Sequence, residues 1–145
     1  IVTDTLSIDV TGGEQDCDLR IWKDMVKRKI VNIFQPDVMY MGGLTKALKA
    51  AKIIQDGGYI CTPHTANLSL VTVCTMHFLK AIKNAGPYLE FSIEGEDYYP
   101  WQKNLFLNNP FKVDNGHVEI TESPGWGVEI NQNWLNSSEY KISEI

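Results

Sequence analysis

The chain has 145 residues, 43% of them hydrophobic, a length and composition suited to one domain with a buried core. Its 18 acidic and 13 basic residues leave a formal net charge of −5, which argues against a nucleic-acid partner, since such proteins present a basic face. No apolar run is long enough to cross a bilayer, and no basic stretch leading into an apolar one opens the chain as a secretory signal would.

In chain order, Ile1 stands where a start methionine would, which reads as a processed or truncated product. Ser7-Ile8-Asp9-Val10 reads as a strand stopped by Gly12-Gly13. Residues Asp18 to Ile30 read as a helix, with Leu19, Trp22, Met25, Val26 and Ile30 on one stripe and Asp24 and Arg28 paired four apart. Asp16 is a candidate N-cap for it. Val31 to Gln35 reads as a strand cut by Pro36-Asp37, and Gly42-Gly43 as a tight turn. A second helix runs from about Leu44 to Asp56, with Leu44, Leu48, Ala51 and Ile54 or Gln55 along its face and Gly57-Gly58 at its end. Tyr59 to Thr62 reads as a third strand, Ser69 to Ile82 as a third helix, and Tyr88 to Ile93 as a fourth strand. After Pro100 the chain turns rich in Asn, Gly and Pro, with strand candidates at Phe111-Lys112-Val113 and His117 to Ile120. Strands alternating with helices predict an α/β fold built on a parallel sheet. Cys17, Cys61 and Cys74 show no metal or redox spacing, and read as free thiols of a reducing cytoplasm.

Polar residues recur where the strands stop. Glu14, Asp37, His64 and Glu90 follow one another at intervals of 23, 27 and 26 residues, each close to one βα unit of a barrel. The C-terminal ends of parallel strands share one face, so these four can converge there. An imidazole can remove a carbon-bound proton near neutral pH, and Asp37 on the adjacent strand can orient the His64 ring. Glu14 is placed to offer oxygen to a divalent cation such as Mg2+. Glu90, if protonated, can donate a hydrogen bond to a developing oxyanion. Each has a plainer reading. His64 can be structural, Asp37 can start a turn, and Glu14 can be solvated. Glu90 is the least plain, because a carboxylate inside a barrel strand needs a partner or a raised pKa. His77 reads as packing, and His117 has no companions.

The segments "TGGEQD", "QPDVMYMGGLTKALKAAKI", "CTPHTA" and "YLEFSIE" resemble the C-terminal half of the enolase superfamily, mandelate racemase/muconate lactonizing enzyme subgroup. "YYPWQ" and "PGWGVEI" resemble its acid-sugar dehydratases. The resemblance implies the C-terminal part of a modified (β/α) TIM-type barrel over residues 1–100, incomplete as given. Residues 101–145 would form an extension returning to a capping domain. It further implies that Glu14 is a metal ligand for Mg2+ and that Asp37 and His64 form an Asp–His dyad with His64 as base. Glu90 would hydrogen-bond the substrate carboxylate. The implied reaction removes the proton alpha to the carboxylate of a sugar acid or hydroxy acid. Loss of the beta hydroxyl then makes a dehydratase, and return of the proton on the other face makes a racemase or epimerase. The family's other metal carboxylates and its Lys motif fall before Ile1. The expectation is therefore little activity from this chain alone, and a missing N-terminal half supplied by the same parent chain or a second one. A non-catalytic half-barrel is the remaining alternative, and a homo-oligomer is expected of the complete protein.

Overall fold

The structure, a computed structural model, describes residues 2–142. By its internal contacts the chain divides into two compact units, Ile1–Ser92 and Ile93–Ile145.

The first unit opens with a short helix, α1 (Val2–Thr5), then β1 (Thr11–Gly12) and helix α2 (Leu19–Arg28). The β-stretch lies later than Ser7–Val10. It is placed by pairing: Asn32 donates from its backbone to the Val10 carbonyl at 2.8 Å, and Gln35 to that of Gly12 at 3.0 Å. Asp18, rather than Asp16, caps α2, its carboxylate accepting the Arg20 backbone N–H at 2.8 Å. The Arg20 side chain and this N–H together draw the Asp18 carboxyl down to about 2. Trp22 and Met25 are buried, as their stripe predicts, while Ile30 lies beyond the helix end and is exposed. Lys27 and Arg28 in the last turn favour the helix dipole.

Strand β2 (Ile33–Phe34) leads to α3 (Leu44–Asp56), and β3 (Ile60–Cys61) to α4 (Leu70–Ala81). The three strands form one parallel sheet in the order β1-β2-β3, with Phe34 aligned on Gly12 and on Cys61. Helix α3 buries Ala47, Ala50, Ala51 and Ile54. Small alanines there let α3 lie close, and Leu48 falls outside the stripe and is exposed. Phe34 is fully buried between Trp22 and Tyr59, with ring centroids 6.2 and 5.2 Å away. Burying a side chain of this size contributes roughly 2–3 kcal/mol. Ser69 caps α4, which buries Thr72 to Met76 and Phe78.

The fourth strand expected at Tyr88 to Ile93 does not form. The chain instead bridges β3 earlier, at Ala85, with Cys61 donating to Asn84 and Gly86 donating to Cys61, both at 2.9 Å. Pro87 follows at once and has no N–H to continue a ladder. Asn84 secures this crossing by donating its side-chain amide to the Tyr59 carbonyl at 3.0 Å.

In the second unit, β4 (Val113–Asp114) and β5 (His117–Val118) form an antiparallel hairpin. Asn115 and Gly116 make its two-residue turn, both with positive φ, as a type I′ turn requires. Leu105, Phe106 and Phe111 are its buried apolar residues, and α5 (Gln132–Ser137) is capped by Asn131. No helix among the described residues is long and apolar enough to cross a membrane.

Candidate functional site

The alignment of Phe34 with Cys61 continues three residues on as a parallel bridge between Asp37 and His64. An odd offset along extended backbone turns a side chain to the opposite face. Phe34 and Cys61 point into the helix-covered core, so Asp37 and His64 point to the other side of the sheet. Each follows a buried proline, Pro36 or Pro63. The ladder survives them because the donor is His64, whose backbone N–H reaches the Pro36 carbonyl at 3.2 Å.

Asp37 is buried, and its carboxylate is fully engaged. Oδ1 accepts the backbone N–H groups of Met39 at 2.7 Å and Tyr40 at 2.8 Å. Oδ2 lies 2.7 Å from His64 Nδ1. One carboxylate thus makes both the turn contacts and the contact with His64. A carboxylate only accepts, so a neutral His64 carries its proton on Nδ1 and leaves the Nε2 lone pair free. The His64 side chain is 19% exposed.

Glu90 lies in extended chain outside any strand, and its side chain is 45% exposed, so it is not the buried strand carboxylate expected. It nevertheless reaches the same place. Its Oε2 accepts the Thr65 backbone N–H at 3.1 Å and stops 3.8 Å from His64 Nε2, beyond hydrogen-bond reach. Thr65 is itself held by a 2.8 Å hydrogen bond between its buried hydroxyl and that of Thr72, which also donates to the Asn67 carbonyl.

Glu14 sits in the loop after β1. Gly13 has φ +107°, and a Cβ on it would come within 2.9 Å of Met25 and Trp22, so only glycine fits where α2 packs on the loop. Glu14 is half-buried, and no ion pair engages its carboxylate among the described residues. No group of three His, Cys, Asp or Glu placed to hold a metal ion occurs among the described residues. Mg2+ demands about six oxygens in octahedral array, so Glu14 by itself does not make a Mg2+ site.

Two neighbours of the dyad carry no signal in the sequence. The Tyr40 ring stacks beside the His64 imidazole, with centroids 6.1 Å apart and planes 25° from parallel. Thr65 supplies the backbone donor to Glu90. Among the thiols, burial pushes Cys61 up to about 12 and raises Cys74, and Cys17 is exposed.

Residues 1–134 match the family model described as "Enolase C-terminal domain-like". The chain is 23% identical over 129 residues to the arabinonate dehydratase of Saccharolobus solfataricus, covering 89% of this chain and 33% of that one. It is 29% identical over 129 residues to a proposed L-rhamnonate dehydratase of Caldivirga maquilingensis, covering 87% and 31%. A crystal structure of a proposed racemase from Roseobacter denitrificans aligns with a TM-score of 0.92 at 56% identity, covering 99% of this chain and 39% of that one. The chain thus spans about a third of the length of the curated relatives it matches. Its α/β architecture, parallel strands with helices between them, is that of the corresponding part of a TIM-type barrel. The chain belongs to the enolase C-terminal domain-like family.

Proposed function

We propose that this chain is the C-terminal catalytic portion of an acid-sugar dehydratase, with His64 as the base that takes the proton alpha to the substrate carboxylate. The observation that carries the reading is the 2.7 Å contact of His64 Nδ1 with a buried, fully engaged Asp37 carboxylate. It leaves Nε2 with the unprotonated lone pair. Asp37 holds the tautomer and stabilises the imidazolium that forms on proton transfer. The protonated Nε2 then delivers that proton to the departing beta hydroxyl. Water is lost, and the enol that remains becomes a 2-keto-3-deoxy acid. In this reading Glu90, whose Oε2 accepts the Thr65 backbone N–H, would hydrogen-bond the substrate carboxylate when protonated.

The family resemblance assigns Mg2+ to such enzymes, and Glu14 is the residue here that would contribute to holding it. Because one carboxylate is an incomplete donor set, no step is assigned to the metal. The remaining ligands and the first half of the barrel belong to sequence beyond this chain, from the same parent or a second chain. Residues 101–145 would pack toward a capping domain, and the complete protein would be a cytoplasmic homo-oligomer. This chain by itself would turn over little substrate.

A racemase or epimerase of 2-hydroxy acids is the second reading, favoured by the 56% identity to the Roseobacter protein. The same base serves it, with the proton returned on the other face. The test is the complete protein incubated with a panel of sugar acids and 2-hydroxy acids. A 2-keto-3-deoxy product supports the dehydratase, and an isomer with no loss of water supports the second reading. In either case His64→Asn should lower turnover by about 10²–10⁴-fold or more. Full activity in that variant would remove His64 as base.

A further inference from the structure

Pro36, Asp37, Val38 and Met41 are buried, whereas Met39 and Tyr40 are exposed. Of the two, Tyr40 is the one whose ring lies beside His64. The same residue touches both members of the dyad. Its backbone N–H donates to Asp37 Oδ1 at 2.8 Å, and its ring lies against the His64 imidazole at 6.1 Å and 25°.

These two contacts restrain different motions. The Asp37–His64 hydrogen bond fixes where Nδ1 lies, but small coupled changes in χ1 and χ2 can still tilt the ring about that contact. Rotation of that kind swings Nε2, the atom that must meet the substrate proton. A flat neighbour lying nearly parallel to the imidazole opposes such rotation. On the side of Nε2, Glu90 Oε2 lies at 3.8 Å, too far to fix the ring by a hydrogen bond. The short spacing from Asp37 to Tyr40 makes the arrangement rigid, because the turn that presents the ring is closed by the Asp37 carboxylate itself.

We propose that Tyr40 is a positioning residue of this site, its ring setting the plane of the His64 imidazole and so the aim of Nε2. This rests on the reading of His64 as the base. The phenolic hydroxyl has no part in it, so flatness and not hydrogen bonding is the property required.

The test uses the complete protein with Tyr40→Phe, Tyr40→Leu and Tyr40→Ala, measuring kcat, KM and exchange of the substrate alpha proton with solvent deuterium. Misaiming a reacting atom by about 1 Å costs on the order of 10²-fold. Tyr40→Leu and Tyr40→Ala should therefore lose about 10- to 100-fold in kcat and in exchange, with KM little changed, and Tyr40→Phe should keep both. Leu preserves apolar bulk at this exposed position, so its loss would not come from misfolding. If Leu matches the parent protein, or if Phe falls as far as Ala, the proposal is overturned. His64→Asn run alongside separates the two ideas. An inactive His64→Asn with a fully active Tyr40→Leu removes Tyr40 alone, whereas an active His64→Asn removes the base and Tyr40 with it.

Discussion

The indole N–H of Trp22 donates to the backbone carbonyl of Asp16 at 3.0 Å, so the most deeply buried side chain of α2 holds the loop that carries Glu14. The tether joins the core to the Glu14 loop, and it can be tested from both ends. Trp22→Phe leaves a void and a half-buried carbonyl without its donor, and should cost about 2 kcal/mol or more in chemical denaturation. Gly13→Ala places a methyl group against Trp22 and Met25 at a φ that L-residues avoid, and should cost about 1–3 kcal/mol. A Trp22→Phe protein within about 0.5 kcal/mol of the parent would show that the indole contact holds nothing.

Asp37→Asn separates the two tasks of that carboxylate. An amide oxygen can still accept from Met39 and Tyr40, so the turn should survive and thermal stability should change little. The amide nitrogen, however, donates toward His64 Nδ1 and drives the ring proton to Nε2. The base then has no free lone pair, and kcat should fall by about 10⁴-fold with KM nearly constant. Asp37→Ala should lose stability as well. An Asn variant as active as the parent would mean that tautomer control plays no part.

Thr65 and Thr72 share a buried hydroxyl pair next to the dyad. Removing one partner leaves the other hydroxyl with less than its usual bonding, at about 1–3 kcal/mol. Removing both leaves two methyl groups in contact. Thr65→Val and Thr72→Val should each destabilise, and the double variant should be more stable than the sum of the two losses predicts. Strict additivity in denaturation experiments would deny the coupling.

Burial raises the Cys61 thiol from an ordinary 9.0 to about 12. The folded protein therefore resists ionising a group that the unfolded chain ionises near 9. The stability tied to the neutral thiol is fully present below pH 9 and is lost as pH rises from 9 toward 12. Denaturation midpoints should fall more steeply as pH rises from 9 toward 12 in the parent than in Cys61→Ala. At neutral pH a thiol reagent should modify Cys17 quickly and reach Cys61 and Cys74 only on unfolding. Rapid native labelling of all three would contradict their burial.

The helices were the most legible part of the fold. Helix α3 runs over Leu44–Asp56 as its pattern predicts, and α2 and α4 differ only at their ends, because periodicity, caps and glycine stops act within a few residues. The stripe of α3 was misread at Leu48, since a large apolar residue attracts the reading while the real contact face is made of alanines. The strands were legible as positions but not as lengths. Whether Tyr88 to Ile93 forms a strand depends on a partner ladder, and a local apolar alternation cannot report one.

The same division runs through the site. The sequence by itself determined that Asp37 and His64 each follow a strand, each directly behind a proline. Parallel register then makes their adjacency nearly unavoidable. Only the tertiary structure decided that the Tyr40 ring lies against His64, that Thr65 tethers Glu90, and that Glu90 stands in half-open chain. The physical reason is reach. Hydrophobic period and capping are written between neighbours in sequence, whereas a ring stack or a backbone donor for a distant carboxylate exists only once packing has set the angle between segments some 25 residues apart.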